Sequence, residues 1–308
     1  MKNIVLVSCS LLLGITFLFS AYTKLYPIEL FEYTIVETGI FSWNSIPFVS
    51  RLLIGVEFLL GALLLLNLYF SKKETLIFTA LLLLFFTGYL IILLVKEGNE
   101  GNCGCFGDTL KLTPLESILK NIFSLALVYL LYKFHPGIKL RFQKWLFIAL
   151  LLISLIAPYI FTPINMMIRE QSKEETLNYE LDLSALYDSS RIAKPSFDLM
   201  QGKRIIAFLS LTCPHCKLGA FKLHLMHKNN PALPIYFILN GDEEKLPAFF
   251  EESKSADMPY TFMTEKEGFV KCAGVRLPAI LWVDNGRVIK KVKYKYLNQS
   301  EIETWLSQ

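Results

Sequence analysis

Five stretches of mostly apolar residues, near residues 3–22, 47–70, 75–95, 115–132 and 143–162, govern what this chain can become. Each reaches the roughly 20 residues an α-helix needs to cross a bilayer. In hydrocarbon a backbone must satisfy its own hydrogen bonds, so runs of this length are expected as a helical bundle. The composition agrees: 53% of the 308 residues are hydrophobic, which disfavours a single soluble domain. The net charge of +4 is small and forms no dense basic stripe, so nucleic acid is not an expected partner. The first stretch is read as a retained helix: Phe19-Ser20-Ala21 lacks the small-residue pattern of a cleavage site. Leu6-Val7-Ser8-Cys9 has the outline of a lipidation box, but too few apolar residues precede Cys9 for that processing.

Basic residues set the expected orientation. Lys2, Lys72, Lys73, Lys133, Lys139, Arg141 and Lys144 fall on one side of the five spans, which should be cytoplasmic. The opposite loops carry Glu29, Glu32, Glu37, Glu97, Glu100 and Asp108, together with Lys24, Lys96 and Lys111. An odd number of spans then places residues 96–114 and everything after Pro163 in the outer compartment.

Beyond Pro163 the hydrophobic period changes. The polar run Arg169–Glu175 reads as a juxtamembrane helix or linker, extending to about residue 195. Strands are expected at Arg204–Leu211 and Pro234–Asn240, helices at Cys213–Asn229 and Glu243–Ser253. A late hairpin turns at Asp284-Asn285-Gly286, and a last helix begins near Gln299, capped by Ser300.

Four of the six cysteines fall into two close pairs, Cys103 with Cys105 and Cys213 with Cys216. The sequence Thr212-Cys213-Pro214-His215-Cys216 lies where a buried strand gives way to a helix. At that junction the unpaired N–H groups and the helix dipole favour a thiolate on Cys213, making it the attacking sulfur and Cys216 the resolving one. Pro214 suits the first turn, and His215 adds positive charge beside the thiolate, favouring the reduced form and so an oxidising pair. Zinc binding is the other reading of such a pair; His224 and His227 lie two to three turns away, so no metal is expected. A static disulfide is a further alternative.

Strand, CxxC, helix and the later Leu277-Pro278 resemble the thioredoxin superfamily over roughly residues 195–308. That resemblance implies a cis peptide at Leu277-Pro278, whose backbone binds substrate peptide. The CPHC sequence is more similar to oxidising DsbA-like members than to reducing ones.

In the loop Gly101–Gly107, Cys103 and Cys105 are separated only by Gly104. A disulfide there closes a small ring with unusual backbone angles, strained and therefore easily reduced, so the pair is a plausible electron acceptor. A rigid structural loop or half a metal site are the alternatives. The CGCFG loop, the spans on either side and Lys24 resemble the MauE/DoxX family of redox-associated membrane proteins over about residues 1–135. The bundle-plus-thioredoxin plan also resembles, more loosely, vitamin K epoxide reductase homologues. Those carry a further CxxC beside a quinone inside the bundle, which this sequence does not match.

Glu57 falls inside the second span, and an intramembrane charge is a functional hypothesis by default. Arg51 and Lys24 are its expected partners, as a quinone or proton-relay cluster or as a structural ion pair. Ser117, Lys120, Asn121 and Ser124 recur at helical spacing and read as helix-to-helix hydrogen bonding. Phe41, Trp43 and Phe48 read as interfacial aromatics, and Cys272 as a buried, unreactive thiol.

The expected architecture is a membrane α-helical bundle, four MauE/DoxX-like helices (1–135) plus a fifth span (136–165), then a linker (166–195) and an α/β thioredoxin-like domain (196–308). The expected function is thiol-disulfide exchange with exported proteins at the bacterial inner membrane, the last domain in the periplasm. Electrons would pass to the CGC loop and to a membrane acceptor such as a quinone, with no covalently bound cofactor. A membrane reductase running in reverse and a non-enzymatic assembly factor are the rival expectations.

Overall fold

The computed structural model describes residues 2–69, 73–99, 103–107, 109–135, 137–138, 141–164, 175–184, 186, 195 and 198–308. Lys72, Glu100, Gly101, Asn102, Asp108, Lys139 and the run Arg169–Glu174 lie outside them. The chain divides into two compact units, residues 1–164 and 165–308.

The first unit contains the five expected spans: α1 (Lys2–Leu25), α3 (Ile46–Leu65), α4 (Glu74–Glu97), α5 (Pro114–Phe134) and α6 (Gln143–Phe161). The chain is a multi-pass membrane protein. The expectation missed α2 (Ile28–Glu37), whose Ile28, Phe31 and Ile35 pack with Ala21, Ile46 and Ile54. In a bilayer, close helix packing depends on small residues at the interface. A Cβ on Gly14 would stand 2.9 Å from the Gly61 carbonyl, and one on Gly61 2.9 Å from Leu18, so α1 and α3 meet backbone to backbone. A Cβ on Gly55 would lie 2.7 Å from the Ser154 carbonyl, which brings α6 equally close to α3. Thr113 and Glu116 form a reciprocal capping box that starts α5 directly after the cysteine loop.

The second unit is a six-stranded sheet in the order β1-β6-β5-β2-β3-β4. Its strands are β1 (Glu175–Glu180), β2 (Lys203–Ser210), β3 (Ile235–Asn240), β4 (Tyr260–Phe262), β5 (Ala279–Asp284) and β6 (Arg287–Val292). β2 runs parallel to β3, and β3 to β4; β5, β6 and β1 complete the sheet antiparallel. Alternation along β2 divides the core. Ile205, Ala207 and Leu209 face α7 (Pro214–Asn229), α8 (Leu246–Ser253) and α10 (Gln299–Ser307), while Ile206 and Phe208 face α9 (Lys266–Ala273). This is a thioredoxin-like fold.

Three expectations need correcting. Residues 175–180, expected as linker, pair with β6, and Leu181, Leu183 and Leu186 enter the core behind them. β4 and α9 went unseen because three and eight residues are too short for a clear period. The last helix is capped by Asn298, whose side chain accepts the Ser300 N–H, and not by Ser300 itself.

Candidate functional site

Cys213 is the N-cap of α7. Its sulfur accepts the Cys216 N–H at 3.3 Å, satisfying a donor that helix geometry leaves open. Cys213 is partly exposed and Cys216 fully buried. The Cys216 thiol donates to the Cys213 sulfur, the backbone N–H groups of Cys216 and His215 add to it, and the Cys213 pKa falls to about 6. The same hydrogen bond, with burial, pushes the Cys216 thiol upward, so environment sets the two sulfurs apart.

Leu277-Pro278 is cis, and Leu277 touches both halves of the core. A Cβ on Gly219, one turn beyond Cys216, would meet Pro278 and Tyr294 at 3.3 Å, so the glycine lets the proline and this tyrosine close on the helix. Tyr294, not foreseen in the sequence, has its hydroxyl 3.2 Å from His215 Nδ1, and the two rings stack at 5.9 Å. The buried Lys222 donates to the carbonyls of Tyr294 and Lys295, fixing that segment. Cys272 is buried, its thiol donating to the Asp182 carbonyl, and burial pushes it up to about 11. His224 pairs with Asp257 at 2.8 Å.

The second pair sits in the first unit. Gly104 and Gly107 both have positive φ, and a Cβ on Gly107 would lie 2.2 Å from the Thr23 carbonyl. The loop therefore folds tightly onto the end of α1. Cys103 is buried, 3.0 Å from the Ser117 hydroxyl; Cys105 is partly exposed, and its carbonyl accepts from Ser20. The Cys103 thiol donates to the Cys105 sulfur, and with the charges of Lys120 and Lys24 this lowers Cys105 to about 6 against the opposing effect of burial. Cys103 is pushed upward in turn. Each dithiol thus has one buried, protonated sulfur supporting a more reactive neighbour.

Lys24 and Glu57 come together as expected, Nζ to Oε1 at 2.6 Å, with Ser20 bonded to both. Arg51 does not join them. It pairs with Glu32 at 2.7 Å and donates to the Pro47 and Thr162 carbonyls, tying α2, α3 and the end of α6 together. The polar face of α5 is also reassigned. Asn121 does bond across to Thr87, but Ser117 meets Cys103, Lys120 lies 4.5 Å over the Phe106 ring, and Ser124 bonds within its own helix. Trp43 packs edge-on against Tyr33.

Fold and sites together define a multi-pass membrane protein that carries a thioredoxin-like dithiol domain and a second dithiol in its helical bundle. Residues 1–134 are similar to the family of methylamine utilisation protein MauE, a match that covers the helical part. Protein TlpB of Flavobacterium psychrophilum is 26% identical over 336 residues, covering 94% of this chain and 89% of TlpB. Among solved structures, a secreted Mycobacterium tuberculosis disulfide oxidoreductase homologous to E. coli DsbE is 19% identical over 35% of this chain and 83% of its own, with a TM-score of 0.28. The thioredoxin domain of a Bacteroides vulgatus thiol-disulfide oxidoreductase is likewise 19% identical, over 35% of this chain and 81% of its own, with a TM-score of 0.30.

Proposed function

We propose that this protein is a membrane-bound thiol-disulfide oxidoreductase that oxidises exported proteins, with its C-terminal domain on the periplasmic side of a bacterial inner membrane. The observation that carries the reading is the placement of Cys213: a partly exposed sulfur at a helix start, supported by a buried Cys216. That arrangement stabilises a thiolate leaving group and attacking group in one place.

In the oxidised form, a client thiolate attacks the Cys213 sulfur and Cys216 leaves as thiolate. The client's second thiol then displaces Cys213, so the client gains a disulfide and the domain is left as a dithiol. Leu277 and Pro278 hold the client chain against the pair. The Cys213 thiolate next attacks a Cys103–Cys105 disulfide, and Cys216 resolves the mixed disulfide. Two electrons now reside on the loop dithiol, to be taken by a membrane-dissolved acceptor, a quinone. His215 supports the Cys213 thiolate throughout, and no covalently bound cofactor is required.

The test is trapping in the full-length protein. Cys216→Ala should accumulate mixed disulfides from Cys213 to exported clients and to Cys103 or Cys105. Clients alone in the trap would remove the loop relay and keep the exchange activity. A Cys213→Ser protein that still supports disulfide formation in those clients would replace the enzyme with an assembly factor.

A further inference from the structure

A cavity of about 340 Å³ opens beside the loop dithiol, lined by both Cys103 and Cys105 together with Lys24. The rest of its wall is almost wholly apolar and rich in rings, among them Phe31, Phe41, Phe86 and Tyr89. We propose that this cavity is the site where a membrane quinone docks to take electrons from Cys103 and Cys105. This placement rests on the acceptor reading given above.

Four observations specify the ligand class. The volume falls in the range of small-molecule pockets and admits one or two fused rings. Aromatic walls suit a flat ligand, since ring pairs prefer offset or edge contacts at the separations side chains provide. Phe85 and Leu84, also on the wall, are half exposed on the outer surface of α4, a route for a ligand dissolved in lipid. Finally, the wall offers one strong donor. Lys24 spends two of its three N–H groups on Ser20 and Glu57, at 3.0 and 2.6 Å, and its ammonium lies 4.6 Å from the centre of the Phe86 ring. The third N–H suits a carbonyl oxygen. A flat, lipid-soluble ring with carbonyl acceptors, next to a dithiol, is a quinone.

The redox step balances with water as the one further reagent. One S–S bond forms between Cys103 and Cys105 as the Cys103 S–H bond breaks, and its two electrons pass to the quinone. The Cys103 proton and one proton from water, equal to the one Cys105 gave up as a thiolate, convert the quinone's two carbonyls to hydroxyls. Glu57 holds the Lys24 side chain in place through their 2.6 Å contact, and is a positioning residue.

Gly88 supplies the probe of this site. It lies on the cavity wall in the middle of α4, and a Cβ there would meet no atom within 4 Å. Helix interiors disfavour glycine unless something must approach closely, and among the described residues nothing does. Its missing side chain is part of the cavity's space.

The experiment uses the full chain in lipid nanodiscs, reduced, desalted and mixed with decylubiquinone, whose fully substituted ring resists direct thiol addition. The expected result is one quinone reduced for every two loop thiols lost. Gly88→Leu should slow this at least tenfold, with Cys105 alkylation and client exchange at Cys213 unchanged. Leu81→Phe, on the outward face of the same helix, should change it less than twofold. If Gly88→Leu does not assemble, Ile92→Trp narrows the same cavity from one turn along and carries the same expectation. Undiminished quinone reduction by the filled variant overturns the site. Wild-type protein that exchanges disulfides with clients but leaves decylubiquinone oxidised overturns the ligand class, with the exchange reading standing. Protein that does neither overturns the proposed function itself.

Discussion

The Lys24 ammonium and the Glu57 carboxylate lie 2.6 Å apart with only 3% of either residue exposed, and the second Glu57 oxygen has no hydrogen-bond partner among the described residues. Such a pair is costly to desolvate and more costly to break, because the survivor is left as an unpaired charge. Glu57→Ala should therefore destabilise the bundle by about 3–5 kcal/mol. The double replacement Lys24→Met with Glu57→Leu should recover most of that loss, because no lone charge remains. Thermal unfolding in detergent measures both. A single variant as stable as the parent would mean that water already reaches the pair.

The loop dithiol depends on backbone that only glycine adopts easily. Gly107 has φ +57° and no room for a Cβ against Thr23. Gly107→Ala should cost at least 1–2 kcal/mol from the left-handed conformation alone. The loop should then lift from α1, drawing Cys105 off the Cys103 thiol, whose hydrogen bond is the largest cause of its low pKa, and away from Lys120 and Lys24. Cys103 itself is kept in place by Ser117 and the Leu112 carbonyl. The expected readout is a Cys105 alkylation midpoint moved up from about 6 toward the ordinary thiol range. An unmoved midpoint would show that the loop accommodates the methyl without leaving its seat.

Cys213 should be alkylated by iodoacetamide with a midpoint near pH 6, against about 8.5 for a free thiol. Because its pKa is depressed in the folded state, the thiolate stabilises the reduced domain fully above the ordinary thiol pKa. That contribution is lost as the pH falls through about 6. The causes also rank: the Cys216 thiol is the largest and the His215 charge a small one. Cys216→Ala should thus raise the midpoint more than His215→Ala does. The reverse order would assign the reactivity to the histidine.

What the sequence made legible follows from range. Hydropathy over twenty residues is a local property, and all five spans were found within a few residues of their ends. The start of α7 was equally local, since Cys213, Pro214 and the strand before them are neighbours. Long-range relations were not. Arg51 and Lys24 looked equivalent as partners for Glu57, but Arg51 stands six residues before Glu57 on α3 and so on another face, while the packing of α1 on α3 at Gly14 and Gly61 brings Lys24 to it. Tyr294 reaches His215 across 79 residues, and nothing in its own neighbourhood marks it. β1 was lost for a different reason: as an edge strand, Glu-Thr-Leu-Asn-Tyr-Glu carries too few apolar residues to declare a buried face.

The proposed relay from Cys213 to the loop requires both dithiols on one side of the membrane. Basic residues near the span ends supply the expectation, because cytoplasmic loops retain Lys and Arg. Lys73, Lys133, Arg141 and Lys144 all lie at the ends of α4, α5 and α6 opposite to the end where the Cys103–Cys105 loop joins α4 to α5. With five spans, the chain leaves α6 on the loop's side. Variants retaining only Cys105 or only Cys213 should therefore both react with a membrane-impermeant maleimide added outside intact spheroplasts. A Cys9-only variant, near the opposite end of α1, should react only after permeabilisation. Cys105 and Cys213 reacting from opposite faces would make direct sulfur-to-sulfur transfer impossible, because no thiol reaches across a hydrocarbon core of roughly 30 Å.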